Sequence, residues 1–385
     1  MNHRDQTDSI EAPPGGSYDK GPDDAIGMVI AVCIALLVTL ASSVALLYIW
    51  KGEDGFIIVG PSSALTSWEW EYRELVGANN ETISALDGTG VVVCVVDSGI
   101  DLSHPDFRNI NLVGWRDSVN GIEDPYDDEG HGTAMAGILV ADGGLTGTST
   151  GVDLLVAKAI DDQGEGTDST VSDSVDWCVQ SGADIISLSL GGGQSFGSGF
   201  LTTDELEQSV ENAMDSGVFV VASAGNDGED DDGDVGSPGS VEDVICVGGI
   251  TRTGGICSGS SKGDNNGRLW PNPILPRNDP DMKPEIVAPG HEVPVLFAGG
   301  TGNSDWWGWS SGTSAATAWV SGSLALLLEH DPDLQRESSQ GRQSIQSVKN
   351  AITEYSQMKD GQTEHDDHYG YGHLRIDLLI GFFAA

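Results

Sequence analysis

VVVCVVDSGID, residues 91–101, is the stretch on which the fold turns. Its first six residues are apolar and mostly β-branched, as in a strand covered on both faces. The run then ends on Asp97-Ser98-Gly99, a carboxylate and a turn at the C-terminal end of a strand, where open parallel sheets place their ligands. Outward from this point similar runs recur at 154–160 (LLVAKAI), 184–190 (DIISLSL), 218–222 (VFVVA) and 244–250 (VICVGGI). Amphipathic stretches separate them. In 203–216, Leu206, Val210, Ala213 and Met214 fall at helical spacing, Thr202-x-x-Glu205 reads as a capping box, and Gly217 follows as a stop. Residues 168–181 end in the same way at Gly182. The alternation predicts an α/β domain of doubly wound type, and no internal repeat competes with it.

Before the first strand the chain changes character twice. Residues 1–25 are polar and acidic, broken by Pro13, Pro14 and Pro22, and read as a disordered tail. Ile26 to Trp50 then carries no charge. As a helix it would measure about 37 Å, enough to cross a bilayer with some tilt. Tyr48 and Trp50 stand where an interfacial belt belongs. The run is too long for a signal peptide and no small-x-small cleavage site follows it, so residues 26–50 are expected to be an uncleaved single-pass anchor. Residues 51–70 would link it to a domain over 71–385, outside the cell.

The 385 residues hold 17 Lys plus Arg against 60 Asp plus Glu, a formal net charge of −43. Such a surface excludes nucleic acid as a partner, because phosphate contacts need a basic stripe. It suits salty surroundings, where counter-ions mask the repulsion. The five cysteines include no C-x-x-C, which argues against a zinc or redox motif. Cys246 and Cys257 flank an expected hairpin and could pair if the compartment is oxidising, a question the sequence leaves open.

Four short segments carry chemistry, in the order Asp, His, Asn, Ser. Asp97 ends the first strand. Gly130-His131-Gly132-Thr133 opens an apolar helix. Val221-Ala222-Ser223-Ala224-Gly225-Asn226 ends a strand on a side-chain amide. Ser311-Gly312-Thr313-Ser314 leads into an apolar helix that runs through Leu328. A serine hydroxyl becomes nucleophilic when a neutral imidazole takes its proton, and the imidazole needs a carboxylate to fix its tautomer. A tetrahedral oxyanion needs donors, here the Asn226 amide and the Ser314 backbone N–H at a helix start.

On these segments the chain resembles the subtilisin-like serine proteases, the subtilases, over about residues 65–380. The resemblance implies a three-layer α/β/α domain with a mostly parallel central sheet, preceded here by one transmembrane helix. It also implies endopeptidase activity on peptide or protein substrates, with Asp97 as carboxylate, His131 as general base, Ser314 as nucleophile and Asn226 as oxyanion donor. Ser189-Leu190-Gly191-Gly192 matches the strand that pairs with substrate main chain, and Ala224 and Gly225 are placed with it as substrate-binding residues. Tyr369-Gly370-Tyr371-Gly372-His373-Leu374 resembles the glycine-rich strand that closes the family's domain.

The chain departs from the family pattern in places. Ala318 stands where members carry proline four residues after the nucleophile, and Ala134 where many have a second histidine. About 40 residues separate Trp50 from the first core strand, too few for the usual pro-segment. Asp106 matches a calcium-binding carboxylate of many subtilases, but the loop 142–150 that would complete the site is short and carries one acid. Calcium is not expected there, and the chemistry itself needs no cofactor. The acidic loop 227–234 reads as a solvated turn rather than a cation or basic-side-chain site, and adjacent Glu364 to His368 as a loop rather than a metal site. Asn80-Glu81-Thr82 is a glycosylation sequon. Two alternatives compete with the active protease. One is an inactive subtilase scaffold that binds peptides, against which the four intact residues argue. The other is a lipase or esterase, which would need Gly-x-Ser-x-Gly and the order Ser, Asp, His.

Overall fold

A computed structural model describes residues 22–51, 60–190, 205–228, 234–266, 275–299, 306–336, 338 and 341–384. They group into two units, the N-terminal helix and everything from Gly60 onward. The first unit is α1 (Pro22–Lys51), whose apolar segment Ile26–Leu46 is 21 residues long and exposed along its length. That length and composition suit a membrane-spanning helix or a signal sequence.

The second unit is built on seven strands in the order β2-β3-β1-β4-β5-β6-β7, every neighbouring pair parallel. They are β1 (Val92–Asp97), β2 (Asn111–Asp117), β3 (Asp153–Lys158), β4 (Ile185–Leu188), β5 (Phe219–Ser223), β6 (Ile245–Ile250) and β7 (Ile286–Pro289). The five apolar runs read from the sequence are β1, β3, β4, β5 and β6. β2 was not foreseen: it is an edge strand whose residues are half-exposed, so no apolar run marks it. The segment Tyr369–Leu374 lies along β7, as expected for a closing strand, with Val287 N donating to Gly372 O and Leu374 N to Val287 O.

Helices cover both faces. α3 (His131–Val140) packs on α6 (Thr313–His330), and α6 lies under β4 to β7. α4 (Asp168–Gln180) packs on β1, β3 and α5 (Glu205–Asp215), which covers β5. From Ala315 to Leu328 every residue of α6 is buried, the pattern of a helix that is apolar all round and serves as core. α2 (Ser63–Leu75) precedes the sheet; α7 (Arg342–Tyr355) and α8 (Ile376–Phe383) follow it. Thr202, with its expected capping box, lies outside the described residues. Gly217 and Gly182 do take the left-handed conformation, with φ of 81° and 92°.

The cysteines answer the question the sequence leaves open. Cys246 and Cys257 are free and buried. Cys257 N bonds to Gly249 O, so Cys257 sits opposite Gly249, three positions along β6 from Cys246 and about 10 Å away at strand spacing. The bridge that forms is Cys94–Cys178, between β1 and α4.

Candidate active site

Asp97 is the last residue of β1 and is fully buried. His131 is the first residue of α3, and its Nδ1 stands 2.8 and 3.0 Å from the two Asp97 oxygens. Two glycines make that approach possible. A side chain on Gly132 would strike the Gly99 backbone at 2.2 Å, and one on Gly99, at φ 128°, would strike Tyr126 O at 2.0 Å. Ser98 N donates at 2.7 Å to Asp97 Oδ1, the oxygen nearer to His131, and helps to hold the carboxylate. Burial works against charge on the ring, but the Asp97 carboxylate, by charge and hydrogen bond, with Glu129 and Asp127 nearby, carries the His131 pKa up to about 9.

A second pair forms beside the first. Ser314, in the first turn of α6, donates from Oγ to Ser189 O at 2.9 Å, and Ser189 Oγ returns a bond to Ser314 O at 3.2 Å. Val95 pairs with Ser187 across β1 and β4, so Asp97 and Ser189, two residues on, end adjacent strands side by side. Asn226 follows the end of β5. Its Oδ1 accepts from Thr313 N at 2.9 Å, which ties the side-chain amide to the start of α6. Gly225 is tied to the same helix start through the Thr313 hydroxyl, which donates to Gly225 O at 3.1 Å. Leu190 O accepts from Ser223 Oγ at 2.8 Å, and Ala224 is buried between β5 and β6. Gly191 and Gly192 lie outside the described residues. Asp97, His131, Asn226, Ser314, Ser189, Leu190, Ala224 and Gly225 are thus gathered at the C-terminal ends of β1, β4 and β5.

Sequence reasoning missed the residues that hold this arrangement. Asp127 accepts from Ser98 Oγ, Gly130 N, Thr133 N and Thr133 Oγ1 at 2.6–2.9 Å, fixing the turn that delivers His131. Lys158, buried at the end of β3, donates to Ser98 O, Ile160 O and Asp128. Its one signal in the sequence was a charge inside an apolar run.

The calcium position can be tested on its carboxylate. Asp106 Oδ1 accepts from Gly144 N at 2.8 Å, and Oδ2 from Leu145 N at 3.0 Å and Trp307 Nε1 at 2.7 Å. The next N–H, Thr146, donates to Glu69 Oε1 at 2.7 Å. The short loop offers donors where a cation needs oxygens, so these residues do not fit calcium. Among the described residues no three His, Cys, Asp or Glu side chains converge as a metal site. Asp234, from the acidic loop, is buried against Arg277 at 2.8 Å.

The subtilase family matches residues 88–372. The chain is 33% identical over 297 residues to the serine protease AprX of Bacillus subtilis (strain 168), covering 70% of this chain and 63% of that one, so it spans just under two thirds of that relative. It is 31% identical over 274 residues to subtilisin DY of Bacillus licheniformis, covering 70% of this chain and 88% of the relative. Among solved structures, a cold adapted subtilisin-like serine proteinase superposes with a TM-score of 0.57 at 25% identity, over 75% of this chain and 90% of that one. By the family match over residues 88–372, the chain belongs to the subtilase family.

Proposed function

We propose that this chain hydrolyses peptide bonds in peptide or protein substrates, with Ser314 as nucleophile, His131 as general base, Asp97 as its orienting carboxylate and Asn226 as oxyanion donor. The observation that carries the reading is the pair Asp97–His131 standing at a strand end beside the pair Ser189–Ser314. In the resting geometry the Ser314 hydroxyl rests on the Ser189 carbonyl; a rotation about its χ1 turns it toward the imidazole, which accepts the proton as Oγ attacks. Asp97 holds Nδ1–H, leaving Nε2 as the basic nitrogen, and steadies the imidazolium that forms. The Asn226 amide nitrogen and the Ser314 N–H, at the positive end of α6, then face the developing oxyanion. Ser189 and Leu190 would pair with substrate main chain.

The uncharged helix at 26–46 supports a single-pass anchor, and the Cys94–Cys178 bridge supports placing the peptidase unit on the oxidising, outer side. A fluorophosphonate probe and a protein substrate test the assignment. Wild type is expected to label and to hydrolyse; Ser314→Ala and His131→Ala should each lose about 10⁶-fold in kcat, the size known for the same residues of subtilisin. Labelling that survives in Ser314→Ala would overturn it. A folded wild type that binds peptide but neither labels nor cleaves would show a binding scaffold.

A further inference from the structure

We propose that Lys158 is a positioning residue for this reaction: its buried ammonium is the counter-ion that clamps the acidic turn 126–130 onto the ends of β1 and β3, and it thereby sets both the place of His131 and its hold on a proton. The inference rests on the functional reading above.

Lys158 ends β3 in register with Asp97, which ends β1. Its side chain is fully buried in a protein with seven lysines, and an ammonium stripped of water persists only where its protons find strong acceptors. All three do. Ser98 O stands at 2.7 Å, Ile160 O at 2.8 Å and Asp128 Oδ1 at 2.6 Å, with the Tyr126 ring centroid at 5.0 Å. The two carbonyls lie just past the ends of β1 and β3. The carboxylate belongs to the turn that leads into His131. One cation therefore fastens the strand that carries the proposed carboxylate to the turn that carries the proposed base. Ser98 repeats the fastening. Its N–H reaches Asp97, its hydroxyl donates to Asp127, and the same oxygen accepts from Gly132 N at 2.8 Å.

The charges around His131 then follow a simple count. β1 contributes Asp97 at the ring's Nδ1 edge. The turn contributes Asp127 and Glu129, and Glu129 Oε2 accepts from His131 N at 2.7 Å. Asp128 is neutralised by Lys158, and Asp161, just past β3, also feels that ammonium. Asp101 turns its carboxylate to Ser103 and Gly299. Without the lysine, the turn would present an extra unbalanced negative charge to the ring and favour the imidazolium.

The test uses opposite signs. Lys158→Met should raise the His131 pKa and move the acid limb of kcat/KM to higher pH; Asp128→Asn should move both to lower pH, each by about 0.5–1 unit at low salt. The double variant should return near wild type. Lys158→Arg, which keeps the charge, should leave the pKa near wild type while lowering kcat through the changed reach. The His131 pKa is read by NMR of its imidazole protons, independently of turnover, so the inference stands or falls even if the wild type proves inactive. A merely structural lysine would lower the melting temperature in every variant and leave the pKa unmoved. Shifts of the same sign in Lys158→Met and Asp128→Asn, or none in either, would overturn the proposal. Should Lys158→Met fail to fold, Asp128→Asn and Lys158→Arg still decide it: the first must lower the pKa and the second must not.

Discussion

At the C-terminal end of β3 Lys158 faces Asp128, whose side chain remains 38% exposed; at the far edge of the sheet Lys283 and Lys349 both close on Glu285, of which nothing is exposed. All three ammonium groups are fully buried, yet their partners stand in different solvents. A carboxylate at the surface can recover water when its lysine is removed. Glu285 cannot. One oxygen accepts from both lysines at 2.7 Å and the other from Cys246 N at 2.8 Å. The same pairing of residue types therefore sets protonation in one place and the fold in the other. Where the acid is wet, the lysine acts on charge; where the acid is dry, it acts on stability.

That contrast can be broken most directly at the far edge. Replacing Lys283 and Lys349 together by Met should destabilise the domain by about 3–5 kcal/mol, since Glu285 is then left buried and uncompensated. Urea unfolding measures it, and the acid limb of the remaining activity should stay at its wild-type pH. A loss no larger than that of Lys158→Met would erase the distinction between wet and dry partners. Next in size is Trp307→Phe, which removes one of three donors from the buried Asp106 carboxylate without adding a charge. It should cost about 1–3 kcal/mol, between the two lysine cases. Added calcium should not restore the melting temperature. Recovery at low calcium would mean that the loop can re-form a cation site once the indole is gone.

The smallest expected effect lies in the hydrated turn. Glu129→Gln removes one of the charges that raise the His131 pKa, so that pKa should fall from about 9. Because the reaction needs the neutral ring, activity in wild type should rise as pH passes through that value, and in the variant the rise should come earlier. The stability arising from charged His131 is present in full below the ordinary histidine pKa and is lost as pH climbs through about 9. The variant should lose it sooner. Sodium chloride at about 1 M, where the Debye length is near 3 Å, should narrow the difference between the two proteins. A salt-independent gap would point to the Glu129–His131 backbone bond rather than to charge.

Much of this was open to a reader of the sequence alone. Five strands were legible because residues buried on both faces leave unbroken apolar runs. The places of Asp97, His131, Asn226 and Ser314 in the fold were legible because each sits where such a run meets a glycine-rich turn or a helix. β2 was not, since an edge strand with half-exposed residues carries no such run. Nor were the ties that span the chain. Trp307 meets Asp106 across 201 residues, Asp184 reaches Val92 N across 92, and Cys94 finds Cys178 across 84. Local pattern holds no information on such distances, which is why the sequence left open a Cys246–Cys257 pair, near in the chain, and gave no sign of Cys94–Cys178. Lys158 lies between the two cases: the charge within LLVAKAI was visible, but its partners were not.

The Cys94–Cys178 bridge closes a loop of 84 residues around strands and helices that belong to the core. In the chain-entropy account a loop of that length restricts the unfolded chain by about 4–5 kcal/mol. The thiol pools of a cytosol would hold the two sulfurs apart. A copy retained on that side would therefore unfold more often and be cleared sooner by the cell's own quality control.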